Sequence, residues 1–250
     1  MDNRVTKAHF RGNPPEERKL FSSSSCLMPI SVGQPVHEGE KFEATIHLVE
    51  RSFQTCTILV DDSVQRHTIA ILNPDKSEDE LYKMAIQEGD KWIERSQHLY
   101  NSFNIPLNVL RWDDWFNMPE FAQSYKNVKE EYQSNPLFKQ AINANIDDFL
   151  ERYLRNNTEI TPQSPNAISL CLDYLLEECA VMCLWVKGEY DFELYPSGRN
   201  KAMAATYDFL IKPSYPEYLK AVALRFKKYG TISALSENID RQSTSILASS

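Results

Sequence analysis

The chain has 250 residues, 42% of them apolar and 25% charged, with a net charge of −8. That length can bury one large core, and the composition is that of a soluble globular protein. An acidic balance excludes a surface that is cationic as a whole, so the chain is not expected to bind DNA. No apolar run approaches the roughly 20 residues that cross a bilayer, and the charged N-terminus lacks the apolar centre of a secretory signal. The expected location is therefore cytoplasmic, away from membranes. Five cysteines, an odd number set mostly in apolar segments, fit reduced core thiols. Cys179 and Cys183 lie one helical turn apart, but no histidine sits near them to complete a metal site.

In chain order, residues 1–21 are polar, carry Pro14-Pro15, and are expected to form a flexible arm. An apolar run over 24–31 reads as a first strand, stopped at Ser31 and followed by the turn Val32-Gly33-Gln34. Phe42, Ile46 and Val49 form the stripe of an amphipathic helix over 38–53, and Thr55 to Val60 is a second strand. Strand, helix, strand at this spacing is a βαβ unit and implies a parallel pair. Ser77-Glu78-Asp79-Glu80 has capping-box spacing and opens a helix to about Tyr100; Asn104 to Arg111 reads as a third strand. Helical pattern runs from Trp112 to about Arg155 with a break near Pro136, followed by a polar linker over 156–165. Residues 167–185, apolar nearly all round, form a buried helix. Residues 191–195 form a short strand stopped by Pro196, and a further helix is expected from Tyr215 to Gly230. The last twenty residues, 231–250, rich in serine, are expected to be disordered. One α/β domain over 22–230 results.

Three features carry chemistry. Ser31 ends a strand where the sheets of α/β proteins open into ligand-binding crevices, and its hydroxyl can be acylated there; a cap or turn residue is the bland alternative. Tyr174 and Glu178 share one face of the buried helix, and a carboxylate in such a place asks for a cation, unless Glu178 reaches the surface beside Glu177. Tyr195, aimed by Pro196, can project into the same crevice. Seven glycines leave no G-x-G-x-x-G and no P-loop. The histidines stop at His98, which argues against a Ser-His-Asp hydrolase of the usual chain order. From Arg199 to Lys228 seven basic residues face two acidic ones, a local cationic stretch that fits phosphate contact or a solvated helix face.

Together, Ser31, the segment Tyr174-Leu175-Leu176-Glu177-Glu178, and Tyr195 resemble the cyclodipeptide synthases, over residues 24 to 228. The run from Ser31 to Phe42 is the most similar part. Gln34 and Pro196 place the chain nearer the family's Tyr-Pro (XYP) subgroup than the group with asparagine and glutamine at those positions, while Pro29 departs from a frequent glycine. The resemblance implies a monomeric Rossmann-like parallel sheet flanked by helices, similar to the catalytic domain of class I tyrosyl- and tryptophanyl-tRNA synthetases. It implies synthesis of a cyclic dipeptide from two aminoacyl-tRNAs without cofactor or metal. Ser31 would carry first an aminoacyl and then a dipeptidyl group in ping-pong fashion. Tyr174 and Glu178 would hold the α-ammonium and Tyr195 would relay a proton. Leu27, Pro29, Gly33, Gln34, Leu170 and Pro196 would lie against the substrates. Two basic sets are candidates for tRNA contact: Lys83, Lys91 and Arg95 on one helix, and Arg199, Lys201, Arg225, Lys227 and Lys228 in the cationic stretch. A silent tRNA-binding module and a serine acyl hydrolase are the competing expectations.

Overall fold

A strand that is apolar along its whole length must be covered on both faces, and the second strand is built that way: Leu27, Met28 and Ile30 are fully buried. In the computed structural model, which describes residues 4–156 and 165–230, the elements follow in order. They are β1 (Arg4–Arg11), α1 (Pro15–Arg18), β2 (Ser25–Ser31), α2 (Gly39–Glu50), β3 (Thr55–Asp61), α3 (Arg66–Leu72), α4 (Glu78–Tyr100) and β4 (Leu107–Arg111). Then come α5 (Trp112–Phe116), α6 (Phe121–Ser134), α7 (Pro136–Asn156), α8 (Pro165–Leu184), β5 (Phe192–Leu194), α9 (Lys201–Thr206) and β6 (Lys220–Gly230). The six strands form one sheet in the order β1-β6-β5-β2-β3-β4.

Strands β2 to β6 are mutually parallel, with β2 paired to β3 from Ser25–Thr55 through Ser31–Asp61. The pleat sorts the side chains of β2 between two cores. Cys26, Met28 and Ile30 pack with Phe42, Ile46 and Val49 of α2 and Trp92 of α4. Leu27 and Leu59 face the other way, against Trp112, Val181, Met182 and Trp185. Pairing of β2 with β5 stops at Leu27–Glu193, so the short β5 leaves β2 to run on alone on that side. Pro29, which has no N–H for a ladder, sits past that point. Ser31 therefore ends β2 beyond the last paired residue of β5.

Two expectations are corrected. Residues 1–21 are not wholly a flexible arm: Arg4–Arg11 forms β1, antiparallel to β6, from Arg4–Gly230 to Arg11–Ala223. The expected helix from Tyr215 to Gly230 is the strand β6, and this edge pair makes the sheet mixed rather than wholly parallel. The reason is periodicity. Val222 and Leu224 are buried and Phe226 partly so, whereas Ala221, Arg225 and Lys227 between them are exposed, an alternation with period two. Helices α1, α3 and α9 are additions to the expected elements, and the helical stretch after Trp112 breaks twice, before Phe121 and before Pro136. The linker over 157–164 and the tail over 231–250 lie outside the described residues.

Glu177 of α8 ties three elements together. It accepts hydrogen bonds from Arg66 Nη1 at 2.9 Å and Nη2 at 2.5 Å, from His67 Nε2 at 3.1 Å, and from Trp112 Nε1 at 2.9 Å. Burial pushes its carboxyl toward the neutral form, but the bonds from His67 and Arg66 outweigh that and hold it below the usual range. Removing one member of a buried ion pair strands its partner, at a cost of about 3–5 kcal/mol. Glu177→Ala is therefore expected to lose about that much in urea unfolding, with Arg66 left only its pair to the exposed Glu78. Because the folded-state value of Glu177 is depressed, its contribution is present above the unfolded carboxyl range and disappears as pH falls through the folded one.

Candidate active site

Ser31 is the last residue of β2, and its Oγ lies 3.0 Å from the hydroxyl of Tyr195, either of which can donate. Tyr195 follows β5 directly, and its backbone N–H bonds to Val222 of β6 at 3.1 Å. Pro196 is buried and its carbonyl accepts from Leu224 N–H at 3.0 Å, so the chain leaving β5 is pinned to β6 as it turns. The short strand thus ends where its next side chain meets the end of β2.

The turn after Ser31 is held from below. Gln34 N–H bonds to the Ser31 carbonyl at 3.1 Å, and Gly33 has φ of 82°, a left-handed conformation that favours glycine. His37, 1% exposed, accepts the Ser31 N–H on Nδ1 at 3.0 Å. Burial lowers its pKa to about 4, with the Ser31 carbonyl, 3.3 Å from Nδ1, and the charge of Glu38 acting the other way, so the imidazole is neutral. The His37 carbonyl in turn accepts from Trp92 Nε1 at 3.0 Å. His37 holds the serine backbone and does not reach its hydroxyl through any hydrogen bond among the described residues.

Helix α8 supplies Tyr174 and Glu178 from the other side, and both glutamates of the pair 177–178 are buried, so Glu178 does not escape to the surface. The Tyr174 hydroxyl donates to Glu178 Oε1 at 3.5 Å, while Glu178 Oε2 has no partner. Burial, with Glu193 adding to it, pushes Glu178 up to about 7, against hydrogen bonds from Tyr174 and Asn200. Burial also drives both tyrosines well above their ordinary range, and Glu178 contributes to each; the Ser31 bond acts the other way on Tyr195. Both are neutral phenols near pH 7. Glu193 is balanced by Arg199 at 2.8 Å. Asp61, beside Ser31 in the sheet and 4% exposed, has an Oδ1 without a partner. Asp61 is the residue that sequence reasoning misses; its only signal is a carboxylate ending the second strand.

The remaining predicted positions divide. Leu27 and Pro29 are buried on the Ser31 face of β2, and Leu170 is half-buried one turn before Tyr174. Gly33 and Gln34 are exposed at the rim. The basic stretch does not form one face. Arg199 turns inward to Glu193 and stacks 4.0 Å from the Tyr207 ring. Lys201 pairs with Asp148 at 2.7 Å, and Lys228 lies 3.6 Å from Glu40. On α4, Lys83 is exposed, Lys91 is paired with Glu88 at 2.6 Å, and Arg95 with Glu38. Arg225 and Lys227 share the outer face of the β1–β6 ribbon with Lys7, His9 and Arg11, which stand opposite or beside them in register. No acidic residue of either strand lies on that face, and it flanks the sheet end that carries Ser31.

No protein-family model matches the chain, and no curated protein matches it. Solved structures do. A cyclodipeptide synthase (CDPS) from Fluoribacter dumoffii is 60% identical, covers 91% of this chain and 100% of its own, and superposes with a TM-score of 0.88. A cyclodipeptide synthase from Candidatus Glomeribacter gigasporarum, solved bound to Phe-tRNAPhe, matches in fold at 20% identity over 80% of this chain and 86% of its own, with a TM-score of 0.66. A Mycobacterium tuberculosis cyclodipeptide synthetase, described as related to type I tRNA synthetases, matches in fold at 10% identity over 90% and 94% of the two chains, with a TM-score of 0.57. By its identity to the first of these over nearly its whole length, this chain belongs to the cyclodipeptide synthases, tRNA-dependent aminoacyltransferases on a Rossmann-like sheet.

Proposed function

We propose that this chain joins two aminoacyl-tRNAs into a cyclic dipeptide by a ping-pong route on Ser31. The observation that carries this reading is the Ser31–Tyr195 contact of 3.0 Å with the Tyr174–Glu178 pair buried beside it. Ser31 Oγ attacks the ester carbonyl of the first aminoacyl-tRNA, the bond to the ribose oxygen breaks, and the serine proton passes to that oxygen through the Tyr195 hydroxyl. A phenol well above its ordinary pKa suits a relay, since it accepts and donates without resting as an anion. Tyr174 and Glu178 hold the α-ammonium of the bound residue. Once deprotonated, that amine attacks the ester of the second aminoacyl-tRNA, expels the second tRNA, and leaves a dipeptide still esterified to Ser31. The dipeptide's free amine then attacks the Ser31 ester, releasing Oγ and closing the six-membered ring. Two esters are spent and two amides formed, so covalent storage replaces a three-body encounter.

Gln34 and the Tyr195-Pro196 pair support assignment to the Tyr-Pro subgroup. Leu27, Pro29 and Leu170 are proposed to line the first residue's pocket, with Gly33, Gln34 and Pro196 at its edge. The Glomeribacter relative was solved with an aminoacyl-tRNA, and the cytoplasm is where such substrates are made. For tRNA contact, the outer face of the β1–β6 ribbon is favoured, with Arg225 and Lys227 at its centre; Lys83 on α4 is a second point.

Ser31→Ala is expected to abolish cyclic dipeptides in the medium of a bacterium expressing the chain, as read by mass spectrometry. It should also abolish the mass increment that aminoacyl-tRNA leaves on the protein. Product from the alanine variant would overturn the serine mechanism. Soluble wild-type protein that binds tRNA without making product would point to a silent module, and turnover of simple esters without tRNA to a hydrolase.

Glu178 must be ionised to hold an ammonium, and its pKa in the free protein is about 7. The kcat/KM for acylation of Ser31 should therefore fall about tenfold per pH unit below that value. Glu178→Gln should be slow and lack that limb. A raised carboxyl makes the fold lose stability as pH climbs from the unfolded to the folded value, so Glu178→Gln should melt no lower than wild type at pH 8.

Arg225→Gln with Lys227→Gln is expected to weaken tRNA binding for all sequences alike. The double variant should flatten the log–log salt slope by about 2, one for each phosphate that is no longer neutralised. An unchanged slope in electrophoretic titrations would remove the ribbon from the tRNA path.

A further inference from the structure

Asp61 is a buried carboxyl beside Ser31 for which the proposed mechanism has no use and which, unlike Glu193, has no arginine partner. Its strand position is level with Ser31, and partners in register on neighbouring strands point to the same face about 4.8 Å apart. That face is the one carrying Leu27 and Leu59 toward α8. Asp61 feels the charge of Glu178, and Tyr174 and Tyr195 feel that of Asp61. Among the described residues the nearby guanidinium groups are already committed: Arg66 to Glu177 and Glu78, Arg111 to Asp62 and Asp90, and Arg199 to Glu193. Three buried carboxyl oxygens here have no partner, Asp61 Oδ1, Glu178 Oε2 and Glu193 Oε1; Glu193 is paired with Arg199 through its other oxygen, which leaves Asp61 and Glu178 as the two carboxyls without a cation.

An unpaired buried carboxyl is costly, and two beside each other more so, unless a cation arrives to meet both. The cation the reaction brings is the α-ammonium of the residue esterified to Ser31, which has three N–H donors. We propose that Asp61 is the third acceptor of that ammonium, with Glu178 and Tyr174 as the other two, and so binds the first substrate directly. The inference rests on the Ser31 reading above. It makes β3, as well as α8, part of the binding machinery, and it gives the first step its preference for a charged amine.

The test uses two acyl donors: total tRNA charged with mixed amino acids, and the same pool treated with nitrous acid, which replaces the α-amine by a hydroxyl. Acylation of the full-length protein is followed by intact mass. Wild type is expected to favour the aminoacyl pool, and Asp61→Asn, which keeps size and removes charge, should shrink that preference by about tenfold to a hundredfold. The variant should melt at or above the wild-type temperature, since an uncompensated carboxyl has been removed. An unchanged preference in Asp61→Asn, or an equal loss on both pools, overturns the inference while leaving acylation of Ser31 intact. A variant that fails to fold assigns Asp61 to the core and overturns it too. Wild type that is acylated by neither pool removes the Ser31 reading, and the inference with it.

Discussion

Two neighbouring glutamates on α8 meet opposite fates, and the rest of the molecule depends on the difference. Glu177 is surrounded by donors from α3 and α5, so its charge is a structural tie between helices. Glu178, one residue on and turned toward the sheet, receives only a long bond from Tyr174 and a contact from Asn200. A protein with several arginines at hand has left this carboxyl, and Asp61 opposite, without one. A buried cluster of that kind is tolerated because its groups can take up protons.

The sheet explains why that cluster exists. A parallel strand buried on both faces gives rigid support, and β2 runs past the last residue of β5 before it ends at Ser31. The gap left by the short strand is filled by Tyr195 from the following turn instead of by backbone. Farther out, β6 continues past β5 and takes β1 as its antiparallel partner. The ribbon's inner face closes the core over α2, while its outer face is free of acidic side chains. One strand pair thus completes the hydrophobic layer and gives the acidic protein a local basic strip.

The central sheet and the site were legible in the sequence because their signals are local. A continuous apolar run ending in serine, a capping box at Ser77, and an apolar helix interrupted by Tyr174 and Glu178 each report on their own neighbourhood. The edge of the sheet was not legible for a physical reason. Half of β1 and β6 faces solvent, so their alternating lysines and arginines look like polar arm or amphipathic helix, and only pairing across more than two hundred residues makes them strands. The basic stretch failed similarly: charge counted along the chain said nothing about Arg199 turning inward to Glu193. Asp61 was hidden for a third reason. An aspartate after a strand is usually a turn residue, and its isolation from any cation is a property of the folded cavity alone.

On the proposed reading, the ester bonds of the substrates supply the free energy, and the protein's task is retention and proton placement. Retention is covalent, through Ser31, so the site need not hold the first residue by affinity while a second bulky tRNA exchanges for the first. Proton placement is divided between groups with different pKa values. The tyrosine hydroxyl stays neutral and passes protons along, whereas a carboxyl near 7 can hold an ammonium and then accept its proton before the amine attacks. A strong base in the same crevice would leave the amine free at all times and expose the acyl-enzyme to water. Carboxyls raised by burial avoid this, because they become effective partners only when the substrate's own charge is present.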